Sequence, residues 1–82
     1  MVIAYIMLKV GLGEYQSLVL TIKESLIKMP EILEATPVFG RHDLVLKVEV
    51  NSLGDLTRLV GDKIRALEGV ADSETLVAHE EQ

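Results

Sequence analysis

The sequence predicts an α+β fold made of two interleaved βαβ halves, and three observations support this. Strand-like and helix-like segments follow one another in the order β-α-β-β-α-β along the 82 residues. The halves echo each other, since Leu8-Lys9-Val10 recurs as Leu46-Lys47-Val48, 38 residues later. Right-handed crossovers then place both helices on one face of a four-stranded antiparallel sheet. This arrangement is the ferredoxin-like sandwich.

The first half contains a strand, a helix and a second strand. Val2–Val10 is rich in β-branched and aromatic residues, which predicts a strand. Both its odd-numbered and its even-numbered residues are largely apolar, so we expect both faces of this strand to be covered. Glu14–Met29 carries apolar residues three and four positions apart, which predicts a helix that Pro30 ends. Ile32–Phe39 is predicted to be a strand, and Pro37 assigns it to an edge of the sheet.

The second half repeats this order. Asp43–Val50 alternates between two sets of side chains, as a half-buried strand does. A helix is predicted from a Ser52 cap to a Gly69 terminator, and Val70–Ala78 is predicted to be the last strand. The tail, residues 79–82, is expected to fray. The core-facing residues expected in the second helix are Leu53, Leu56, Val60, Ile64 and Leu67.

Composition and charge exclude several functional classes. Eighty-two residues make a single domain, 1–82, and the absence of cysteine excludes disulfides, thiolate metal sites and cysteine nucleophiles. A net charge of −5 argues against a surface that binds nucleic-acid phosphates. No apolar run approaches the roughly 20 residues of a membrane span, and the first residues do not form a signal peptide. We therefore expect a cytoplasmic protein without direct contact with nucleic acid or membrane.

The open face of the predicted sheet indicates self-association. The chain is 49% apolar, with a mean hydropathy of +0.32, which is high for a small domain. With both helices on one side, the first strand exposes either its odd-numbered apolar residues or their even-numbered neighbours. A sheet-to-sheet dimer would bury this surface; the alternative is a merely apolar surface. The expected interface residues are Ile3, Tyr5, Met7, Val45 and Lys47.

Few residues are candidates for catalysis or metal binding. His42, Asp43 and His79 have no diagnostic metal-ligand spacing, so no metal or cofactor is expected. Gly11-Leu12-Gly13 is half of an anion-binding glycine motif, but Glu14 directly after it favours a plain turn. The serines occupy predicted helix-surface or cap positions rather than a nucleophile elbow; they are Ser17, Ser25 and Ser52.

The turn Gly40–Asp43, between the two middle strands, carries three side chains with binding chemistry. Arg41 can hold a carboxylate bidentately, and Asp43 can accept from an ammonium group, which together would suit an amino acid or a neighbouring subunit. The alternative is a polar hairpin tip in which Gly40 supplies a positive φ and Asp43 bonds to nearby amides.

The last strand carries two hydroxyl side chains, Ser73 and Thr75, which lie two residues apart and therefore on the same face of the strand. They are either ordinary β-compatible surface residues or part of a small polar pocket at an interface.

Three runs along the chain resemble the effector-binding domain of the Lrp/AsnC (feast/famine) transcription regulators. The runs are Met29–Ala35, Val38–Glu49 and Ile64–Val70, the last followed by Ser73-x-Thr75-Leu-Val. The resemblance extends over essentially the whole chain. Regulators of this family usually carry a helix-turn-helix domain, which is missing from these 82 residues, so the sequence is similar to the stand-alone form.

The resemblance implies a non-enzymatic module that binds an amino-acid effector and modulates full-length regulators of the family. It also implies dimers formed through the sheets, which associate into octamers or related rings with effectors between the dimers. By motif position, the implied effector-binding residues are Gly40, Arg41, His42, Asp43, Ser73 and Thr75.

Two alternatives to an effector-binding module stay open. One is a small dimeric α+β-barrel enzyme of the cofactor-free monooxygenase or isomerase type, with His42 as its acid–base group. The other is a structural assembly partner whose binding site is vestigial.

Overall fold

The computed structural model describes residues 1–11 and 15–78 of the chain, and the side chains of all of these except 15–17. Four strands form one antiparallel sheet in the order β2-β3-β1-β4, which confirms the predicted ferredoxin-like fold. In chain order the elements are β1 (Val2–Val10), α1 (Tyr15–Leu26), β2 (Ile32–Pro37), β3 (Leu44–Val50), α2 (Leu53–Arg58), a π-helix (Leu59–Ile64) and β4 (Val70–Val77).

The core lies between the helices and the even-numbered side of the two central strands. Ile6 of β1 lies opposite Leu46 of β3, and Ala4 lies opposite Val48; all four are fully buried. The helices contribute apolar side chains three and four residues apart on α1, and others from α2 and the π-helix. These helical core residues are Val19, Ile22, Leu26, Leu56, Leu59 and Ile64.

The odd-numbered side of the central strands forms the open face of the sheet. Tyr5 lies opposite Lys47 there, and Met7 lies opposite Val45. Tyr5 is 39% exposed and the other three are half-buried. Covering β1 on both faces, as its sequence predicts, therefore requires something beyond the described residues of one chain.

Strand β2 is an edge strand, as Pro37 predicts, because proline has no amide hydrogen to donate to a ladder. It ends at Pro37 rather than at Phe39. Beyond that end, the amide of Val38 donates to the carbonyl of Asp43 across the turn, at 3.1 Å. The register shifts by one residue between Ile32 and Glu34, which forms a β-bulge at the start of the strand.

Helix α1 ends at Leu26, three residues before the predicted end at Met29. Its predicted first residue, Glu14, lies outside the described residues. Pro30 disfavours α geometry in the residue before it. The chain tightens accordingly: the amide of Met29 donates to the carbonyl of Leu26, and that of Ile32 donates to the carbonyl of Met29.

The second helix differs from the prediction of one continuous α-helix. It starts as predicted, with the Asp55 amide donating to the Ser52 hydroxyl at 3.1 Å, but becomes a π-helix at Leu59. Two buried residues, Leu59 and Ile64, lie five positions apart. An α-helix has 3.6 residues per turn, so two residues with this spacing do not face the same side of it. The wider turn allows both to reach the core, whereas Leu53 is 60% exposed.

The second half ends in the predicted strand after a helix that is shorter than predicted. The helical segment ends at Ile64, with Arg65 as its C-cap, and so stops short of the predicted terminator Gly69. Gly69 still takes a positive φ, 101°, in the turn before β4. Strand β4 ends at Val77, and the amide of Ala78 donates to the carbonyl of Ile3. The expected fraying of residues 79–82 lies outside the described residues. Among the helices of the described part, none is both long and apolar enough to cross a membrane.

Candidate functional site

The loop between β2 and β3 folds back on the end of β1. Gly40 takes the predicted positive φ, 123°, where the chain reverses. The amide of Asp43 donates to the carbonyl of Leu8 at 2.8 Å. Together with the bond from Val38 to Asp43, this contact fixes both ends of the loop against the central strands. The loop is therefore held by backbone hydrogen bonds at its base.

The carboxylate of Asp43 is buried beneath this loop. Asp43 is 3% exposed, and its Oδ2 accepts from the amide of Val10 at 2.8 Å. The ammonium group of Lys9, which is half exposed, lies 3.9 Å from the same oxygen. Asp43 is therefore not a side chain that the turn presents to solvent. Its carboxylate satisfies a buried amide at the end of β1, in keeping with the alternative of a hairpin tip whose aspartate bonds to nearby amides.

His42 connects the loop to the last strand. Its Nε2 lies 3.5 Å from Oε1 of Glu74 on β4, and the two side chains are 27% and 57% exposed. The neighbouring Arg41 is exposed and forms no ion pair with any residue that the structure describes. Phe39 on the other side of Gly40 is 96% exposed. The loop tip thus presents a cation and an aromatic ring to solvent.

The two hydroxyl residues of β4 lie on the helix side of the sheet. Ser73 pairs with Leu8 and Thr75 pairs with Ile6, so their side chains share the face of these core residues. Glu74 between them pairs with Met7 and belongs to the open face. The structure therefore brings His42 to β4, but it places both hydroxyls on the opposite face from the carboxylate that His42 meets.

Two charged residues at this end of the sheet were not among the residues predicted from the sequence. Lys9 approaches Asp43, and Glu74 approaches His42. Both have a signal in the sequence, since Lys9 interrupts an apolar strand and Glu74 separates the two hydroxyl residues. Neither signal identifies the contact that each residue makes.

The described residues contain no group of three or more His, Cys, Asp or Glu side chains arranged to hold a metal ion. His79, one of the metal-ligand candidates, lies outside those residues, as do Leu12, Gly13 and Glu14 of the glycine motif. Gly11 is described, and its amide donates to the carbonyl of Gly69 at 2.8 Å, which links β1 to the start of β4.

Comparison with protein families and known sequences identifies relatives along the whole chain. A family model described as the Lrp/AsnC ligand binding domain matches residues 3–81. The chain is 29% identical over 76 residues to the HTH-type transcriptional regulator FL11 of Pyrococcus furiosus. That match covers 93% of this chain and 47% of FL11. The chain spans less than half of the length of the curated relatives that it matches.

Solved structures share the fold. TTHA0845 from Thermus thermophilus superposes with a TM-score of 0.87 at 28% identity, over all of this chain and 98% of that one. The regulator NMB0573 from Neisseria meningitidis, solved as a complex with L-Met, gives a TM-score of 0.84 at 20% identity. That likeness covers 98% of this chain and 51% of NMB0573, and it concerns the fold alone.

The family model, the sequence relatives and the sheet topology therefore agree over nearly the same residues. On that basis the chain belongs to the Lrp/AsnC ligand binding domain family.

Proposed function

We propose that this chain is a non-enzymatic module that binds an amino-acid effector, self-associates and modulates transcription regulators of its family in the cytoplasm. The match of the ligand-binding family model to residues 3–81 carries the proposal. The sequence relatives are named as HTH-type transcriptional regulators, and one solved structure of similar fold is a complex with L-Met. Full-length regulators of the family are the proposed protein partners, without direct contact between this module and nucleic acid or membrane.

The proposed effector site is the junction between the β2–β3 loop and β4. The exposed guanidinium of Arg41 can hold an α-carboxylate in a bidentate pair. His42 lies beside it and is only partly covered by Glu74. Asp43 fixes the loop from below through the amide of Val10. The proposed site residues are Gly40, Arg41, His42, Asp43, Ser73 and Thr75.

The proposed site residues lie on both faces of the sheet at β4, which is compatible with a site that another copy of the chain completes. Ser73 and Thr75 lie on the helix face and the His42 contact lies on the open face, so one chain does not gather them around one point. Because β4 is an edge strand, a neighbouring subunit can approach it from its unpaired side. We therefore place the effector between copies, in an octamer or a related ring.

Dimerisation through the open face is the proposed first step of assembly. A depression of about 770 Å³ reaches this side and is lined largely by apolar side chains, including Ile3 and Tyr5. Covering it with an equivalent sheet would remove these side chains from water. The proposed interface residues are Ile3, Tyr5, Met7, Val45 and Lys47.

The alternative of a small α+β-barrel enzyme finds little support in the geometry. Such an enzyme needs an acid–base group in a cavity between sheet and helices. In the described residues this space is filled by apolar side chains such as Ile6, Leu46 and Ile64. His42 lies outside that layer, against Glu74.

Thermal-shift screening against the twenty amino acids tests the proposal. We expect at least one of them to raise the melting temperature, since a ligand at 100 times its Kd stabilises by about 2.7 kcal/mol. Arg41→Ala and His42→Ala should lose most of this shift. Arg65→Ala, which removes an exposed arginine elsewhere, should retain it. A flat response of the wild-type protein to all twenty at millimolar concentration would contradict an effector role.

A further inference from the structure

The apolar depression that reaches the open face lies at the end of the sheet away from the β2–β3 loop. Its lining includes Ile3 and Tyr5 of β1, Lys47 and Glu49 of β3, and Leu33 of β2. Ile3 lies opposite Glu49 and Tyr5 lies opposite Lys47, so these four residues belong to the open face. The depression is therefore continuous with the proposed dimer interface.

Phe39, in the loop at the other end of the sheet, exposes almost its whole ring. It is 96% exposed, and contact of an aromatic ring with water is unfavourable. The loop borders the open face, since His42 meets Glu74 there. Phe39 follows Leu33 by six positions, roughly 20 Å at about 3.3 Å per residue, so its ring cannot fill the depression of its own chain.

The symmetry of a dimer limits how the loop and the depression can meet. A two-fold axis uses the same surface on both copies. When two sheets pack face to face with aligned strands, an axis parallel to the strands brings loop over loop. An axis between the sheets and perpendicular to the strands brings each loop over the depression of the other copy. The second arrangement pairs the exposed ring with an apolar depression, and it does so twice.

Charge also favours the second arrangement. Arg41, two residues after Phe39, is exposed and forms no ion pair with a residue that the structure describes. Loop over loop would bring two such guanidinium groups together, and like charges across an interface are unfavourable. Loop over depression brings each of them to the end of the sheet that carries Glu49. The carboxylate of Glu49 also lacks an ion pair among the described residues.

The two contacts bring the interface towards the size of a stable dimer. Burying an aromatic side chain removes roughly 150 Å² or more from water, and the walls that it covers lose a comparable area. Each copy contributes one ring and one depression, about 300 Å² of the roughly 800 Å² that a partner in a standard interface buries. The strands of the open face supply the remainder.

We propose that the open face is covered by a second copy in which the strands run in the opposite direction, and that Phe39 of each copy enters the depression of the other. This inference rests on the dimerisation proposed above and adds its orientation and its anchoring residue. A central aromatic anchor in an apolar depression is the kind of contact that contributes most to binding.

Covalent linking tests the orientation in a chain that has no cysteine of its own. The double variant Phe39→Cys/Leu33→Cys, treated with the short linker bismaleimidoethane, should form covalent dimers. The two thiols of one chain, roughly 20 Å apart, are beyond the reach of this linker. Each single variant should stay largely unlinked. The matched control is Phe39→Cys/Leu20→Cys, which should not link because Leu20 is an exposed residue of α1, in the helix layer.

The strength of the contact is measured by sedimentation equilibrium. Phe39→Ala should raise the dissociation constant of the dimer at least tenfold, because it removes both anchors. Phe39 is exposed within one chain, so the variant leaves the core intact. Leu20→Ala removes an exposed apolar side chain outside the open face and should change the constant less than twofold.

The outcomes separate this inference from the dimerisation on which it rests. A wild-type protein that sediments as a monomer would overturn both. A dimer in which the double variant does not link, or in which Phe39→Cys alone links equally well, would overturn the orientation and leave dimerisation standing. An unchanged dissociation constant of Phe39→Ala would likewise overturn the role of the ring.

Discussion

At the scale of single residues, Asp43 shows that a side chain suited to ligand binding can instead stabilise the fold. Its carboxylate accepts from the amide of Val10, and its own amide donates to the carbonyl of Leu8. The loop above it, with Arg41 and His42, is thereby fixed relative to β1. In this chain Asp43 therefore positions the proposed effector site from beneath.

Replacing Asp43 should destabilise the fold even without an effector. Asp43→Ala leaves the buried amide of Val10 without its acceptor, a cost of about 1–3 kcal/mol. Asp43→Asn keeps an oxygen acceptor and should cost less. Urea unfolding measures both. The control, Asp72→Ala, removes an exposed carboxylate that bonds the Ser73 amide and should cost clearly less than Asp43→Ala. Equal stability of Asp43→Ala and the wild type would refute this role.

At the scale of elements, the strands followed from the sequence more closely than the second helix did. Alternation predicted the buried parity of β3, and Pro37 indicated the edge. The π-helix was not predictable in this way. The periodicity of an α-helix, 3.6 residues per turn, selects Val60 as a core-facing residue and misses Leu59. The spacing of buried residues depends on how the helix meets the sheet, which a local pattern does not contain.

The same limit applies to the candidate site. The sequence pattern selected the Gly40–Asp43 loop and the hydroxyls of β4, and the structure brings His42 to β4. The burial of Asp43 was missed, since it depends on the loop folding back onto Val10, 33 positions away along the chain.

The π-helix leads to a prediction about two leucines. Leu59→Ala should cost about 2–5 kcal/mol, because Leu59 is 3% exposed and its removal leaves a cavity. Leu53→Ala should cost less than about 1 kcal/mol, because Leu53 is 60% exposed. Chemical denaturation of the two variants compares them directly. The reverse order would mean that the helix continues in α geometry with Leu53 on its buried face.

At the scale of the whole molecule, the open face of the sheet determines how the chain exists in solution. Val45→Glu places a charge opposite Met7 in the centre of the proposed dimer interface. Burying that charge without a partner is costly, so we expect the dimer to dissociate at micromolar concentration. Sedimentation velocity measures the change in mass. Leu20→Glu, on the outer side of α1, is the matched control and should leave the mass unchanged.

We propose that an amino acid binds at the loop–β4 junction between copies of this chain. The most direct measurement is a crystal structure of the protein grown with the amino acid that gives the largest thermal shift. We expect density for that amino acid against Gly40, Arg41 and His42, close to β4, with a second copy completing the site. Density in another place, or a fully occupied site formed by one isolated chain, would contradict it.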